Sequence, residues 1–493
     1  MPNEIVAMLV TTFLLFPTTD AVLHGNVYTH KDTWPSPAIG SPLRPQRPSL
    51  ELQEMLAEID PERIEHTVTT LVGFRTRHTL STQESSTEGI GAARDWIYHT
   101  MKANAGTSDG TVDVYLNSYI QEAAEFYPFS VNVSNVVTQV NGTVDPSRAY
   151  VVTAHYDSRR LDLMDFTGDA PGADDDATGV AVVMELARVM TKRKPKATVV
   201  FAATAGEEQG YQGASGSAHL ARTLRHAGYD VQGNWNNDIV GTGKNTPFSA
   251  VNDFIVRVFG ASIYYPNTSS AQLREQYSVF GDWNDSPAHN LGRFIREIAA
   301  GAARALRMRV ELVYRPDRMG RGGDHYSFLA EGFPAVRFTE SVEDFAHQHQ
   351  DPRVENGVQF GDLLEFVDFE YTTRVARTNL ASMWSAANAP STPRNVGISM
   401  SVGALASNRS ARVEDLSNKS QFCWATGHDS LAVGYELVWR PSGSLDWTHY
   451  LNVGHRGTVT VDLPKDDLQF GVRAVGKNNM KSPAVLPVPI DSC

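Results

Sequence analysis

AYVVTA at residues 149–154 and ATVVFAA at residues 197–203 are short apolar runs rich in β-branched residues, which is typical of buried strands in a parallel sheet. Between them an apolar stripe recurs at helical spacing, formed by Val180, Val183, Met184, Ala187 and Met190. Basic residues at 192–194 and a proline at 195 are the expected end of this helix. The stretch therefore predicts a β-α-β unit and, with it, an α/β fold.

The same alternation of strands and helices continues on both sides of this unit. Upstream, PERIEHTVTTLVGF from residue 61 and GIGAARDWIYHTMKANA from residue 89 have the apolar spacing of amphipathic helices. Downstream, NNDIVG (236–241) and PAVRFTES (334–341) predict two short strands, with the helical segment RFIREIAAGAARALRM (293–308) between them. We predict a mostly parallel central sheet with helices on both faces, over residues 61–388.

The pattern changes to all-β after a Pro/Ser/Thr-rich linker, which we place at 389–394. Apolar residues alternate with polar ones over 435–439 and again over 468–474, with turn signals following each run. FCWATG (422–427), GYELVWR (434–440) and LQFGVRAVGKNNMKSPA (468–484) resemble strand segments of a fibronectin type III domain. The resemblance implies a β-sandwich over 395–493, which would either bind a surface, glycan or partner, or cover an apolar face of the larger domain.

The N-terminus predicts export. IVAMLVTTFLLF, residues 5–16, is shorter than the roughly 20 residues that span a bilayer but fits the core of a signal peptide, predicted over 1–24. A misassigned start or a buried segment is the alternative. A linker or pro-segment is predicted over 25–60. Six glycosylation sequons support secretion, and they begin at Asn132, Asn141, Asn267, Asn284, Asn408 and Asn418.

Charge and cysteine content exclude some classes of protein. The formal net charge of −13 argues against nucleic-acid binding, because phosphates require a basic surface. The two cysteines, Cys423 and Cys493, both lie near the C-terminus, so the large domain folds without disulfides. They form either one bridge in the last domain or two free thiols.

Side chains suited to metal binding follow the ends of the predicted strands. His155 and Asp157 come after the first strand, Glu207 and Glu208 after the second, and Asp238 lies within NNDIVG. In an open α/β sheet, ligands bind beyond the carboxyl ends of the strands, so these side chains are expected to meet. Clustered imidazoles and carboxylates suit zinc.

PGADDDATG, residues 171–179, brings three adjacent carboxylates to the start of the intervening helix. Such neighbours repel one another in a site that partly excludes water, unless one of them bridges two divalent cations. Glycines on either side allow tight turns and close backbone approach. The motif therefore predicts a two-metal site, in which Asp174 and Asp176 are helix-start and turn-forming carboxylates rather than ligands.

Five motifs together resemble the co-catalytic zinc aminopeptidases of metallopeptidase family twenty-eight (clan MH). They are AHYDS (154–158), APGADDDATG (170–179), AGEEQG (205–210), NNDIVG (236–241) and HQHQD (347–351), and the resemblance covers about residues 60–390. It implies two Zn²⁺ ions per chain, one held by His155 and Asp238, the other by Glu208 and His347, with Asp175 as the bridge. His347 is preferred to His349 because of its spacing to Asp351 four residues on.

Two further residues match the catalytic positions of that family. The resemblance implies that Asp157 accepts a hydrogen bond from the ligating His155, and that Glu207 is the general base toward a two-zinc-activated hydroxide. Asp324 and His325, in GGDHYSF, either line the substrate pocket or form a structural hydrogen-bonding pair.

We therefore predict a secreted zinc aminopeptidase that acts on peptides or proteins with a free N-terminus. A carboxypeptidase or dipeptidase of the same clan is the alternative, because it would use the same ligands. A glutaminyl-cyclase-like transferase with one zinc is disfavoured by the complete ligand set. A catalytically inactive binding or adhesion protein is disfavoured because Glu207 and all five ligands are present.

Overall fold

The computed structural model describes residues 39–106, 111–209, 215–243, 254–262, 285–399 and 419–493. The helices of these residues are α1 (Leu50–Glu58), α2 (Pro61–Gly73), α3 (Gly89–Ala105), α4 (Gly179–Met190), α5 (Gly216–His226), α6 (Pro287–Gly301), α7 (Ala303–Leu306), α8 (His325–Ala330) and α9 (Phe369–Asn388). A π-helical turn, Ala173–Thr178, directly precedes α4, and 3₁₀ turns lie at Leu364–Phe366 and Lys477–Asn479.

The strands fall into an N-terminal and a C-terminal group. The first group is β1 (Ser41–Pro42), β2 (Val112–Gln121), β3 (Val131–Val140), β4 (Asp145–His155), β5 (Ala197–Thr204), β6 (Asp230–Asn237), β7 (Ile255–Gly260), β8 (Arg309–Val313), β9 (Ala335–Glu340), β10 (Arg353–Glu355) and β11 (Val358–Phe360). The second group is β12 (Arg394–Ser399), β13 (Ser420–Ala425), β14 (Ala432–Pro441), β15 (His449–Gly454), β16 (Thr458–Val461), β17 (Leu468–Gly476) and β18 (Val488–Ile490).

A mixed eight-stranded sheet forms the centre of the larger unit, in the order β2-β3-β5-β4-β6-β9-β7-β8. The four middle strands β5, β4, β6 and β9 are parallel, whereas β3 and β7 pair antiparallel with their inner neighbours. The predicted α/β class is confirmed, with antiparallel pairs toward both edges. Because the middle strands run in one direction, the residues after β4, β5, β6 and β9 meet at one edge of the sheet.

Helices cover both faces of this sheet. Alternate residues of β4 enter different cores: Tyr150 and Val152 pack in one, Ala149 and Val151 in the other. The first core also contains apolar residues of α1–α4 and α9, and the second those of α5 and α8. All eight residues of β5 are buried, as expected for a strand covered on both sides.

The segment predicted as linker or pro-segment is folded in its described part. Ser49 caps α1, its side chain accepting a hydrogen bond from the Leu52 amide at 3.1 Å. Leu52, Met55 and Leu56 form the buried face of this helix. Neither α1 nor β1 was predicted, because the Pro- and Ser-rich residues before them dominate the pattern. The predicted signal peptide, residues 1–24, lies outside the described residues.

The C-terminal unit consists of two four-stranded sheets, β1-β15-β14-β17 and β16-β13-β12-β18. Phe422 and Phe470 pack with ring centroids 4.7 Å apart in its core, and Trp424 lies 5.7 Å from Tyr435. Cys423 and Cys493 are disulfide-bonded. A β-sandwich therefore follows the linker, while its kinship to fibronectin type III domains and the domain boundaries stay predictions.

Buried ion pairs join the two units. Arg473 of β17 lies 2.9 Å from Glu297 of α6 and 2.8 Å from Glu436 of β14. Arg440 of β14 lies 2.9 Å from Asp285, just before α6. Since a buried charge is costly without its partner, these contacts fix the C-terminal unit on α6. In the described parts of the chain, no helix combines the length and apolar character that crossing a membrane requires.

Candidate metal centre

Four of the five predicted metal-binding side chains, those of His155, Asp175, Glu208 and Asp238, meet at the carboxyl edge of the central sheet. His155 is the last residue of β4, and Asp238 follows β6 directly. Glu208 lies in the turn after β5, and Asp175 lies in the π-helical turn before α4. Four separate segments thus converge at the place where the parallel strands end.

Two groups of potential ligands share one carboxylate. In the first group, His155 Nε2 lies 3.2 Å from Asp175 Oδ1 and 3.8 Å from Asp238 Oδ1. In the second, His349 Nε2 lies 2.8 Å from Asp175 Oδ2 and 3.0 Å from Glu208 Oε1. Each oxygen of Asp175 therefore faces a different group, which is the arrangement of a carboxylate that bridges two ions.

The prediction of His347 as a ligand is wrong, because His349 takes that place. His347 stacks on Phe366, with ring centroids 3.6 Å apart, and its Nδ1 lies 3.6 Å from Asp344 Oδ2. His349 has a left-handed backbone, with φ of 55°, and its Nε2 contacts Asp175. The sequence favoured His347 because of its spacing to Asp351. The Asp351 carboxylate instead pairs with Arg160 at 3.0 Å and positions neither histidine.

The donor set fits zinc. Two imidazoles and three carboxylates form the two groups, and their ligand atoms lie within 4.8 Å of one another in each. Burial acts to lower the pKa of both histidines, yet the carboxylates raise the pKa of His155 well above its ordinary value and that of His349 to about 10. The negative charge that raises these two pKa values also favours the binding of a divalent cation.

Asp175 itself is held as an anion. Its burial would raise the pKa of the carboxyl group, but hydrogen bonds from His155 and His349 keep that pKa well below the ordinary value. Gln348 Nε2 donates a further hydrogen bond to Asp175 Oδ2 at 3.2 Å. An ionised carboxylate with both oxygens directed at imidazoles is prepared to bind metal through either oxygen.

Arg77 and Asp362 hold the turn that carries Asp175. The buried guanidinium of Arg77 donates to the carbonyls of Pro171 at 2.5 Å and Gly172 at 2.8 Å. Asp362 accepts from the Asp175 amide at 2.8 Å and from the Asp174 amide at the same distance. Sequence reasoning missed both residues, because neither lies near the motif along the chain.

Glycine is required at position 172. Its φ is +52°, and a Cβ there would lie 2.6 Å from the Asp175 carbonyl oxygen and 2.8 Å from Arg77 Nη2. No L side chain fits this position without displacing the turn. The glycine therefore allows the backbone to pass between the arginine and the aspartates.

Asp174 and Asp176 anchor the neighbouring loop, as predicted for residues that are not ligands. Asp176 accepts from the amides of His155 at 3.2 Å and Gly179 at 3.0 Å. Asp174 accepts from the Gly241 amide at 2.6 Å. The outer two aspartates thus tie together the ends of β4, α4 and the loop after β6, and the middle one faces His155 and His349.

Asp157 fixes the loop of the two glutamates. Its carboxylate accepts from the amides of Glu207 at 3.3 Å and Glu208 at 3.1 Å, and from the Thr79 hydroxyl at 3.0 Å. The nearest acceptor for His155 Nδ1 is the Asp157 backbone oxygen at 3.1 Å, whereas its carboxylate Oδ1 is 3.7 Å away. Asp157 therefore orients the histidine through its backbone and the glutamates through its side chain.

Glu207 lies beside the ligands in a strongly acidic setting. Burial, Asp238 and Glu208 raise the pKa of Glu207 well above its ordinary value. With Asp175, Glu208, Asp238 and His349 it lines a cavity of about 270 Å³. A carboxylate with a raised pKa, adjacent to ligands and open to a cavity, is suited to accepting a proton.

Asp324 and His325 form structural hydrogen bonds rather than pocket walls. Asp324 Oδ2 accepts from the Thr204 hydroxyl at 2.5 Å, and His325 Nε2 lies 2.8 Å from the Pro316 carbonyl oxygen. Both residues are buried, and neither is among those that line the cavity. These separate contacts favour the structural interpretation, although the two residues do not pair with each other.

Arg337 of β9 was not predicted and supports Asp238. Its Nη2 lies 2.6 Å from Asp238 Oδ1, and its Nη1 lies 3.0 Å from Asp317 Oδ2. Burial acts to lower the pKa of Arg337, but the two carboxylates raise it, so that the guanidinium stays charged. Arg337 lies within the predicted strand PAVRFTES, but the spacing of residues in the sequence does not indicate which side chain it contacts.

Comparison with known proteins finds relatives over most of the chain. Residues 135–356 match the model of peptidase family M28. A probable zinc metalloprotease of Pyrenophora tritici-repentis is 47% identical over 461 residues, which cover 92% of this chain and 90% of that protein. A probable zinc metalloprotease of Pyricularia oryzae is 47% identical over 491 residues, covering 97% of this chain and 92% of that protein.

Two solved structures are similar to part of this chain. The LapA aminopeptidase of Legionella pneumophila is 19% identical, with a TM-score of 0.48, over 69% of this chain and 75% of that one. A Zn-dependent exopeptidase from Parabacteroides distasonis is 16% identical, with a TM-score of 0.45, over 66% of this chain and 98% of that one.

Proposed function

Since this chain belongs to peptidase family M28, we propose that it is a di-zinc aminopeptidase, which removes the N-terminal residue of peptides or proteins. Its curated relatives indicate a zinc metallopeptidase, and thus a hydrolase of peptide bonds. The number of zinc ions, the catalytic roles and the type of exopeptidase are parts of the proposal.

One observation carries the two-zinc proposal. Asp175 presents Oδ1 to His155 at 3.2 Å and Oδ2 to His349 at 2.8 Å, so that one carboxylate serves two separate ligand groups. We assign His155 and Asp238 to one ion and Glu208 and His349 to the other. Without cations, this much negative charge in a largely buried site would be strongly unfavourable.

Individual residues of the chain have separate roles in the proposed reaction. When bound, the zinc ions polarise the scissile carbonyl and lower the pKa of water toward neutrality. Glu207 accepts a proton from the attacking water and delivers it to the nitrogen of the leaving amine. Asp157 keeps Glu207 in place through the backbone amide, and Arg337 keeps Asp238 directed at the centre.

A matched pair of substrates tests this proposal. We expect the zinc-loaded chain to cleave a free-amine aminoacyl arylamide and to leave its N-acetylated twin intact, with two zinc ions per chain found by atomic absorption. Cleavage only of peptides at a free C-terminus, or of dipeptides alone, would replace the aminopeptidase by the carboxypeptidase or dipeptidase alternative. If the protein still contains no zinc and is inactive after zinc has been added, the assignment of the metal centre is overturned.

We also propose that the protein is exported. The disulfide between Cys423 and Cys493 supports this, because cytosolic thiols are kept reduced. Asn132 opens a sequon and is exposed on β3, where a glycan would be accommodated. After expression in a eukaryotic secretory host, we expect the chain in the medium, with a mass that falls on treatment with an N-glycosidase. Retention inside the cell, with the mass unchanged by the glycosidase, would contradict the proposal.

A further inference from the structure

The cavity beside the metal centre has a divided charge pattern. Its carboxylates, Asp175, Glu207, Glu208 and Asp238, all belong to the proposed ligand set and base. Among the described residues, the other charged groups that line the cavity, apart from His349, are Arg159, Arg318 and Arg321. Once two divalent cations balance the four carboxylates, the arginines leave the cavity with an excess of positive charge.

Two of the three arginines are not neutralised by any carboxylate of the residues that the structure describes. Arg318 is paired with Asp317 at 3.0 Å and also contacts Glu343. Arg159 donates to the backbone carbonyls of Arg160 at 3.0 Å and Leu161 at 3.2 Å, and forms no ion pair with the residues described. The guanidinium of Arg321 has neither a hydrogen bond nor an ion pair within the described part of the chain.

Arg321 is carried by a segment that is fixed at both ends. Asp317, at one end, lies 3.0 Å from Nη1 of Arg337, and the Gly322 carbonyl at the other end accepts from the same atom. Arg337 in turn holds the proposed zinc ligand Asp238 at 2.6 Å. The position of the segment is therefore coupled to that of the metal centre.

We propose that Arg159 and Arg321 bind a carboxylate of the peptide substrate, and so determine the specificity of the site. This inference rests on the proposed peptidase function and adds the substrate class to it. Guanidinium groups bind carboxylates through paired, charge-assisted hydrogen bonds. A cavity of about 270 Å³ takes a small group, which is either the free C-terminus of a short peptide or an acidic side chain next to the scissile bond.

Three substrate pairs separate the sources of the carboxylate, and all keep a free amine. Leu-Leu against Leu-Leu-amide tests the C-terminus, and the arylamide of Glu against that of Gln tests an acidic first residue. Leu-Glu-amide against Leu-Gln-amide tests an acidic second residue. The zinc-loaded proteins are the full-length wild type, Arg321→Gln, Arg159→Gln and the control Arg315→Gln, the side chain of which is exposed and outside the cavity.

In at least one pair, we expect wild type and Arg315→Gln to prefer the carboxylate by about tenfold or more in kcat/KM. Arg321→Gln should lose that preference and change kcat/KM on the neutral partner by less than about twofold, with a smaller loss for Arg159→Gln. The inference would be overturned if the wild type showed no preference in any pair, or if both variants kept the preference. Cleavage of the neutral substrates would still uphold the proposed function.

Equilibrium binding separates failure of the inference from failure of the proposed function. If the wild type cleaves no substrate, the proposed function fails, and calorimetric titration of the zinc-loaded proteins with glutarate then tests the arginines alone. Binding to wild type and Arg315→Gln about tenfold tighter than to Arg321→Gln supports a carboxylate site. Equal affinities, or no binding to any of the proteins, would overturn it.

Discussion

Replacing Glu207 by Gln is expected to lower kcat by about 10²–10⁴-fold while leaving zinc bound. The amide has nearly the same shape as the carboxylate but cannot accept the proton of the attacking water. Glu207 is not a member of either ligand group, so the affinity for zinc should stay close to that of the wild type. The measurement is kcat on a free-amine arylamide, with the zinc content of the same sample.

The adjacent residue offers a matched control for this change. Glu208→Gln alters a proposed ligand, the carboxylate that lies 3.0 Å from His349, so it should lose zinc from the second group as well as activity. A Glu207→Gln protein that retained more than about a tenth of the wild-type kcat would refute the role of general base. Loss of zinc from that variant would make Glu207 a ligand instead.

His349→Ala is expected to lower zinc affinity in the second group by more than about 100-fold, and activity with it. Removal of this imidazole leaves Asp175 and Glu208 as the remaining donors there. Competition with a chelator of known affinity measures the loss of zinc, and kcat/KM on the arylamide measures the loss of activity.

His347→Ala is the control for this change, two residues away. His347 stacks on Phe366 outside both ligand groups, so its removal should leave zinc content unaltered and change kcat/KM by less than about threefold. The reverse result, with zinc lost from His347→Ala and kept by His349→Ala, would restore the assignment made from the sequence.

The fold could be predicted from its most strongly periodic segments. The two buried strands around α4 and the helices from Pro61 and Gly89 occur where the sequence predicts them, because apolar spacing determines which face each element buries. The helix α1 was missed although Leu52, Met55 and Leu56 have helical spacing, since this segment is short and follows a proline-rich stretch. Its burial depends on distant elements that local composition does not reveal.

The candidate site could be predicted as far as its ligands lie at strand ends. His155 and Asp238 are placed by β4 and β6, so sequence and fold determine them together. His349 lies in a loop, where one left-handed residue redirects the chain and where spacing along the sequence carries little information. Arg77, Arg337 and Asp362 could not be predicted, because their contacts with the site depend on the three-dimensional fold and not on spacing along the sequence.

The pairing of β1 determines when, during synthesis of the chain, this strand can fold. Ser41 pairs with Tyr450 of β15, and Gln46 accepts from the Lys481 amide at 3.0 Å across a sequence separation of 435 residues. Residues 41–46 therefore leave the ribosome long before their partners have been synthesised. Closing so long a loop is slow, and the unpaired segment is meanwhile open to chaperones and to proteolysis. Residues 41–46 take their final place only after the C-terminal strands have been synthesised.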